Sequence, residues 1–284
     1  MGELIATEFS GDLAEYLQTP ASTGELFWLG QAGFLLRVRG LRLLIDPYLS
    51  DSLAEKYKGT VRPHIRMMPP PITVNDLGEV DLVLSTHAHT DHMDPGTLRP
   101  LFAVCPRARF VAPRAVRAQA LERSGLGADR LIAMDAGEII EPLPGVRVTA
   151  SRAAHEGLDL DAEGHHNFLG YVIDIGVLRL WHSGDCIPFD GLVPEVRALA
   201  PQIALLPVNG RRPDLSNNGV PGNFTLDEAT EIAADIGVST MIAHHYGLFD
   251  FNTEDPAAID AAIPRVKPLK LLRACTGVCY RWQA

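Results

Sequence analysis

The sequence predicts an α/β (α+β) fold in which two sheets are sandwiched between helices, a four-layer αββα arrangement. Three observations support this fold class. Strand-like runs dominate the beginning of the chain, helix-then-strand units dominate the rest, and the two halves follow a similar plan. The chain has 284 residues, 46% of them apolar, and no linker-like tract interrupts it. We therefore expect a single domain over residues 1–284, with a substantial core.

The first half begins with a predicted antiparallel hairpin. Its strands alternate apolar and polar residues, and Arg39-Gly40 forms the turn between two of them. A short apolar run follows later and is typical of a buried strand. The predicted strands of this part cover residues 26–29, 34–38, 41–45 and 81–86.

The second half mixes strands with two clear helices. Residues 113–124 begin with a proline and are followed by Gly125, which predicts a helix with a glycine after its end. Thr225 is placed to cap a helix over 226–236, and Gly237 follows that helix. Further strands are predicted at 109–112, 146–150, 170–175, 178–181, 203–207 and 240–243.

The most informative segment is 85–94, which reads Ser-Thr-His-Ala-His-Thr-Asp-His-Met-Asp. It follows directly on the buried strand at 81–86. Imidazole and carboxylate groups are the usual ligands of borderline divalent metals. The spacing His-x-His-x-Asp-His places four such groups, His87, His89, Asp91 and His92, within six positions. This pattern predicts a metal site at the end of the strand.

Charge and composition exclude several classes of partner. The net charge of −10 and the absence of a basic stripe argue against nucleic acid. No 18-residue apolar run or signal-like N-terminus is present, so we expect no membrane association and a cytoplasmic protein with reduced cysteines. A small, anionic substrate remains compatible, because divalent ions invert the local potential of a cleft. A homo-oligomer also remains open.

The motif at residues 87–92 resembles the signature of the metallo-β-lactamase-fold hydrolases. That superfamily adds a third histidine for the first metal, a bridging aspartate and a last histidine near the C-terminus. The resemblance implies His155, Asp185 and His245 for these positions, because each follows an apolar strand in the expected order. It also implies the metallo-β-lactamase fold and metal-dependent hydrolysis.

The resemblance implies a site with two divalent ions. The implied ligands are His87, His89 and His155 for the first ion, Asp91, His92 and His245 for the second, and Asp185 as a bridge. A hydroxide shared between the ions would attack the substrate, so no covalent nucleophile is needed. The chain also has no G-x-S-x-G nucleophile elbow, which agrees with this interpretation.

More narrowly, the chain resembles the L-ascorbate-6-phosphate lactonase family at residues 27–34, 87–92, 180–185 and 244–245. This resemblance implies manganese, whereas ligand chemistry alone favours zinc and also suits iron. The leading hypothesis is a lactonase acting on a small, phosphorylated sugar-acid lactone. Two alternatives stay open: a phosphodiesterase acting on a small or lipid-like phosphodiester, and a non-catalytic metal-binding protein.

Other residues are candidates for supporting roles. Asp46 ends an early strand and is placed to accept the second N–H of a ligand imidazole, with turn capping as the alternative. His182 and His244 are expected to buttress the metal ligands. The catalytic candidates are Asp91, Asp185 and Tyr246, and the donor of the proton to the leaving group stays open among Asp91, His244 and Tyr246. The substrate-binding candidates are Gln31, Asn209, Arg211 and Arg212. The alternatives are turn capping for Gln31, a solvated surface for Arg211 and Arg212, and ordinary packing for Tyr246.

Overall fold

The structure, a computed structural model, describes residues 2–20 and 24–283. Its strands are β1 (Glu3–Glu8), β2 (Glu25–Gly30), β3 (Gly33–Val38), β4 (Leu41–Ile45), β5 (Leu82–Leu84), β6 (Arg109–Pro113), β7 (Leu131–Met134), β8 (Ile139–Leu143), β9 (Val146–Arg152), β10 (Leu169–Asp174), β11 (Arg179–His182), β12 (Ile203–Pro207), β13 (Thr240–His244), β14 (Lys270–Arg273) and β15 (Val278–Gln283). Its α-helices are α1 (Leu13–Tyr16), α2 (Ser52–Lys56), α3 (Pro95–Val104), α4 (Arg117–Ser124), α5 (Leu192–Ala198), α6 (Pro213–Ser216), α7 (Leu226–Ile236) and α8 (Pro256–Ala262). Two 3₁₀-helices cover Val74–Leu77 and Arg114–Val116.

The strands of the described residues form two sheets. One has the order β1-β15-β2-β3-β4-β5-β6-β7, and the other has the order β14-β13-β12-β11-β10-β9-β8. The chain divides into two compact units: the first comprises the described residues of 1–112, 116–133 and 275–284, and the second comprises residues 113–115 and 134–274. That residues 1–284 act as one domain stays a prediction.

The first unit contains the predicted hairpins. β3 pairs antiparallel with both β2 and β4. Arg39 and Gly40 have φ angles of 51° and 79°, as a tight hairpin turn between twisted strands requires. β4, β5 and β6 are parallel, so their carboxyl ends lie at the same edge of the sheet. Asp46 and the loop that begins at Ser85 therefore leave the sheet side by side.

Helix α3 begins directly after the histidine-rich loop and is anchored by apolar packing. Its side chains Leu98, Leu101 and Phe102 are buried in one cluster with Val83 and Phe110 from the sheet. Each large apolar side chain buried in this way contributes about 1.5–3 kcal/mol relative to exposure. The loop between β5 and α3 is therefore held at both ends by firmly packed elements.

In the second unit, three strand ends meet at one edge. β9 and β11 each pair antiparallel with β10, so they point in the same direction. β11, β12 and β13 are parallel. The carboxyl ends of β9, β11 and β13 consequently lie on the same side of this sheet. His155, Asp185 and His245 each follow one of these ends.

The two predicted helices are present, with one correction. Thr225 caps α7 in a capping box with Glu228, and Gly237 ends that helix in the left-handed conformation. The helix predicted over 113–124 starts later than expected: Pro113 ends β6, a 3₁₀ turn follows, and α4 begins at Arg117. Proline has no N–H to donate, so it tolerates the end of a strand as well as the start of a helix. Among the described residues, no helix has the length and apolarity needed to cross a membrane.

Candidate metal centre

The first unit presents His87 and His89 from the loop after β5. A ring nitrogen of His87 lies within 4.8 Å of a ring nitrogen of His89. The two rings are nearly perpendicular, and their centroids are 4.6 Å apart. The loop is folded back on itself, because the His89 carbonyl accepts hydrogen bonds from the backbone N–H groups of His92 and Met93 at 3.1 and 2.8 Å. This turn brings the histidines of an otherwise extended segment close together.

Asp91 and His92 form a second pair on the same loop. His92 Nε2 lies 3.8 Å from Asp91 Oδ2, a separation that is too long for a hydrogen bond but short enough for two ligands of one ion. Gln31 donates from Nε2 to the same Asp91 oxygen at 2.8 Å. Gln31 itself has a φ of 50°, so the turn between β2 and β3 directs its side chain at the cost of an uncommon backbone conformation. The structure thus places Gln31 against a predicted metal ligand.

Asp46 is completely buried at the end of β4 and orients His92. It accepts hydrogen bonds from the backbone N–H and the hydroxyl of Thr86 at 2.8 and 2.7 Å. His92 Nδ1 lies 2.8 Å from Asp46 Oδ2. A carboxylate in this position fixes the proton on Nδ1, which leaves Nε2 with the lone pair that a metal requires. This is the contact expected for Asp46 from the sequence.

We expect Asp46→Asn to weaken binding of Mn²⁺ or Zn²⁺ by about 10–100-fold, as substitutions behind a ligand histidine usually do. Asp46 serves its partners with two oxygens, whereas an asparagine amide has only one oxygen and turns an NH2 group towards the other side. When that NH2 group faces His92 Nδ1, the ring is driven towards the tautomer with its proton on Nε2. Competition with a chromophoric chelator measures the change. Asp81→Asn is the matched control, because Asp81 also accepts a backbone N–H, from Arg42 at 2.9 Å, but at the opposite end of β5. Equal affinities in the two variants would contradict the assigned role.

The second unit groups its three predicted ligands around one carboxylate. Asp185 Oδ2 lies 3.6 Å from His155 Nε2, and Asp185 Oδ1 lies 3.2 Å from His245 Nε2. All three side chains are at least 95% buried. Gly184 and His245 have positive φ angles of 63° and 61°, so sharp turns after β11 and β13 aim these groups at each other. Each oxygen of Asp185 therefore faces a different imidazole.

His182 and His244 lie behind this group. Both are fully buried, and their ring centroids are 5.0 Å apart. His182 Nδ1 accepts the backbone N–H of Gly184 at 3.0 Å, which supports the turn that carries Asp185. Burial, reinforced by His182 and His245, holds the pKa of His244 well below its ordinary value. His244 is consequently neutral at neutral pH and is poorly suited to donate a proton there.

Tyr246 and the predicted substrate arginines all have partners in the second unit. The Tyr246 hydroxyl donates to the Ala274 carbonyl and accepts from Arg273 Nη1 at 3.3 Å. Arg211 is held by Glu228 through two hydrogen bonds of 2.8 and 2.5 Å, and this carboxylate raises the pKa of Arg211. Arg212 donates to the Phe251 carbonyl at 2.6 Å but remains 55% exposed. Arg212 is therefore the more accessible of the two arginines.

Asn209 is also tied into its own unit. Its amide nitrogen donates to Asn252 Oδ1 at 2.8 Å, and its amide oxygen accepts from Asn223 Nδ2 at 3.0 Å. These bonds fix the orientation of the Asn209 amide. A substrate contact through Asn209 stays a prediction, as do those through Arg211 and Arg212.

One buried carboxylate in the motif was missed by sequence reasoning. Asp94 is fully buried and accepts hydrogen bonds from the hydroxyls of Ser50, Ser52 and Thr97 at 2.7, 2.7 and 2.6 Å. It also caps α3 by accepting the backbone N–H of Gly96 at 2.9 Å. The signal was available, since an aspartate directly before a proline is typical of a helix start. Asp94 therefore connects the end of the loop that carries the histidines to the segment after β4.

The chemistry of these donor sets fits divalent metal ions. The grouped side chains offer imidazole nitrogens and carboxylate oxygens, and none of them offers a thiolate. Such mixed sets suit zinc, manganese and iron. The clusters are thus able to bind metal, as the sequence predicted, and the identity and number of the ions stay predictions.

The family model described as the Beta-lactamase superfamily domain matches residues 41–246, which contain every residue of these clusters. The chain belongs to the β-lactamase superfamily. A relative from Polynucleobacter asymbioticus, named a UPF0173 metal-dependent hydrolase, is 27% identical over 239 residues that cover 78% of this chain and 74% of the relative. The predicted class of enzyme, a metal-dependent hydrolase, is therefore confirmed at the level of this β-lactamase superfamily.

Solved structures confirm the fold of this β-lactamase superfamily member. Igni18, a metallo hydrolase from Ignicoccus hospitalis, is similar with a TM-score of 0.67 at 19% identity, over 93% of this chain and 99% of that one. An isothiocyanate hydrolase from Delia radicum gut bacteria is similar with a TM-score of 0.72 at 20% identity, over 92% and 98% of the two chains. At these identities the likeness shows the metallo-β-lactamase fold, with two sheets flanked by helices.

Proposed function

We propose that the protein binds two divalent ions through its predicted ligands and hydrolyses a small ester. The proposed ligands are His87, His89 and His155 for one ion, Asp91, His92 and His245 for the other, and Asp185 for both. The observation that carries the proposal is the geometry of Asp185, whose two oxygens face two different imidazoles at 3.6 and 3.2 Å. A carboxylate presented in this way is suited to join two ions. Membership of the β-lactamase superfamily supports the same arrangement.

When bound, the ions would lower the pKa of water towards about 7 and polarise the scissile group. The side chains around the predicted ligands hold them in the orientation that binds the ions. Asp46 keeps His92 in the tautomer that leaves Nε2 available, and Gln31 orients Asp91. Of the proton donors considered from the sequence, His244 is neutral and Tyr246 donates to a backbone carbonyl. Asp91, which lies in the loop after β5 and is only partly buried, is the remaining candidate for the proton donor.

For the substrate, we propose a lactone of a small sugar acid, in its phosphorylated form. The resemblance of residues 27–34, 87–92, 180–185 and 244–245 to the L-ascorbate-6-phosphate lactonases supports this class. A phosphodiester, small or lipid-like, is the second candidate, because a two-ion site also stabilises the charge of phosphoryl transfer. Arg212 is the accessible guanidinium that would bind a phosphate group.

A panel of substrates tests this function on protein loaded separately with Mn²⁺ and with Zn²⁺. We expect turnover of sugar-acid lactones and no comparable turnover of phosphodiesters. Phosphorylated lactones should be preferred over their unphosphorylated forms, and Arg212→Ala should reduce that preference by raising KM. Arg147→Ala, which removes an exposed arginine on β9, is the control. Turnover confined to phosphodiesters would replace the lactone proposal, and metal binding without any turnover would favour a non-catalytic role.

A further inference from the structure

A cationic side chain from outside the motif holds the backbone of the ligand loop. Arg123 lies in the last turn of α4, and its Nη1 donates to the Ala88 carbonyl and, at 3.2 Å, to the Met93 carbonyl. Ala88 stands between His87 and His89, and Met93 directly follows His92. A single guanidinium nitrogen therefore joins the two ends of the segment that carries the histidines and Asp91.

Two other carbonyls of this loop accept hydrogen bonds from residues nearby in the sequence. His89 O accepts two backbone N–H groups, and His92 O accepts the Ser85 hydroxyl at 2.8 Å. Arg123 donates to two further carbonyls of the loop, Ala88 O and Met93 O. The backbone positions of the ligands consequently depend on a residue about 30 positions further along the chain.

We propose that Arg123 is a positioning residue for the metal site, which holds the loop 87–93 in the conformation that binds a divalent ion. This inference rests on the proposed function, because it assumes that the loop is a ligand loop. A positive charge near two cations opposes their binding electrostatically. The contribution of Arg123 is therefore geometric, and it outweighs the repulsion because a displaced ligand loses most of its bond to the metal.

The choice of arginine agrees with this role. The guanidinium is planar, remains charged and presents several N–H donors in a fixed geometry, whereas a lysine ammonium is a point charge on a flexible stem. Arg123 is partly buried, and this desolvation lowers its pKa, while the carboxylates of Glu122 and Asp94 oppose part of the effect. Asp94 is the same carboxylate that caps α3 at the far end of the loop.

The test compares Arg123→Ala with Arg99→Ala. Arg99 lies on α3 and donates from Nη2 to the Glu122 carbonyl of α4 at 2.8 Å. It therefore makes the same kind of bond, from a guanidinium to a backbone carbonyl, but between α3 and α4 and not to the ligand loop. We measure the affinity for Mn²⁺ and Zn²⁺ by chelator competition, and the free energy of unfolding of the metal-free protein by urea. Arg123→Ala should bind both metals about 10–100-fold more weakly, and Arg99→Ala should bind them as the wild type does.

Two outcomes separate the inference from simpler explanations. If Arg123→Ala loses stability in the metal-free form but keeps the wild-type metal affinity, Arg123 is only structural and the inference is overturned. If the wild type binds metal and Arg123→Ala binds it weakly, the inference holds even when no substrate is turned over, which would count against the proposed function alone. Arg123→Lys serves where the alanine variant does not fold, and it should still bind metal less tightly than the wild type.

Discussion

Asp185→Asn is expected to lose at least one equivalent of bound metal and to lower kcat by roughly 10³-fold or more. The amide keeps the shape of the carboxylate, but it has no negative charge and only one oxygen to offer. In the structure the two carboxylate oxygens face His155 and His245 separately, so the amide cannot serve both sides. Elemental analysis of the purified variant and its turnover on the best substrate of the panel measure the two effects.

Asp190→Asn is the control for this substitution. Asp190 lies five positions further along the same loop and is exposed, so the same chemical change there should alter neither metal content nor rate. A normal metal content together with near-normal activity in Asp185→Asn would refute the bridging role. Loss of activity with full metal content would instead assign Asp185 a part in catalysis beyond holding the ions.

Arg37→Met is expected to lower the free energy of unfolding by about 3–5 kcal/mol. Arg37 and Glu25 are directly opposite each other on β3 and β2, with side-chain exposures of only 4% and 1% and an Nε to Oε2 distance of 2.7 Å. Removing the cation leaves a buried carboxylate that has lost its nearest positive charge, although Arg281 lies 3.4 Å away and the Tyr16 hydroxyl donates to it at 3.2 Å. Urea unfolding of the metal-free protein measures the loss.

A second cross-strand ion pair provides the comparison. Arg147 and Asp174 are opposite each other on β9 and β10, but Arg147 is 57% exposed. Arg147→Met should leave the free energy of unfolding almost unchanged, because exposed ion pairs are solvated and screened. If the two arginine substitutions proved equally mild, burial would not be what makes the Glu25–Arg37 pair important.

The local parts of the site were predictable because their signals are local. The motif at 87–92 is recognisable from spacing alone, and the strand before it from its apolar run. Asp46 was expected to support a ligand imidazole, yet only the structure shows that this ligand is His92 and that Thr86 shares the carboxylate. Which histidine contacts Asp46 depends on the parallel register of β4 and β5, and this register cannot be read from the sequence.

The parts that were not predicted involve pairs that are distant along the chain. β1 pairs with β15, from Leu4 opposite Trp282 to Glu8 opposite Val278, although β1 is mostly exposed and shows no clear alternation. The pairing of Arg211 with Glu228, which the capping box of α7 places beside the guanidinium, was also not predicted, and the substrate contact of Arg211 stays a prediction. The Tyr246 hydroxyl was expected near the reacting group, and it is bonded to the Ala274 carbonyl.

The amino-acid order by itself determined the kinds of ligand, their order and the strand ends that carry them, because residue type and short-range periodicity are properties of neighbouring positions. Only the tertiary structure decided which imidazoles face which oxygens of Asp185, which histidine Asp46 orients and which guanidinium reaches the ligand loop. These contacts join residues tens of positions apart. They follow from strand register and helix packing, where the free energy of many weak contacts outside the motif selects one arrangement.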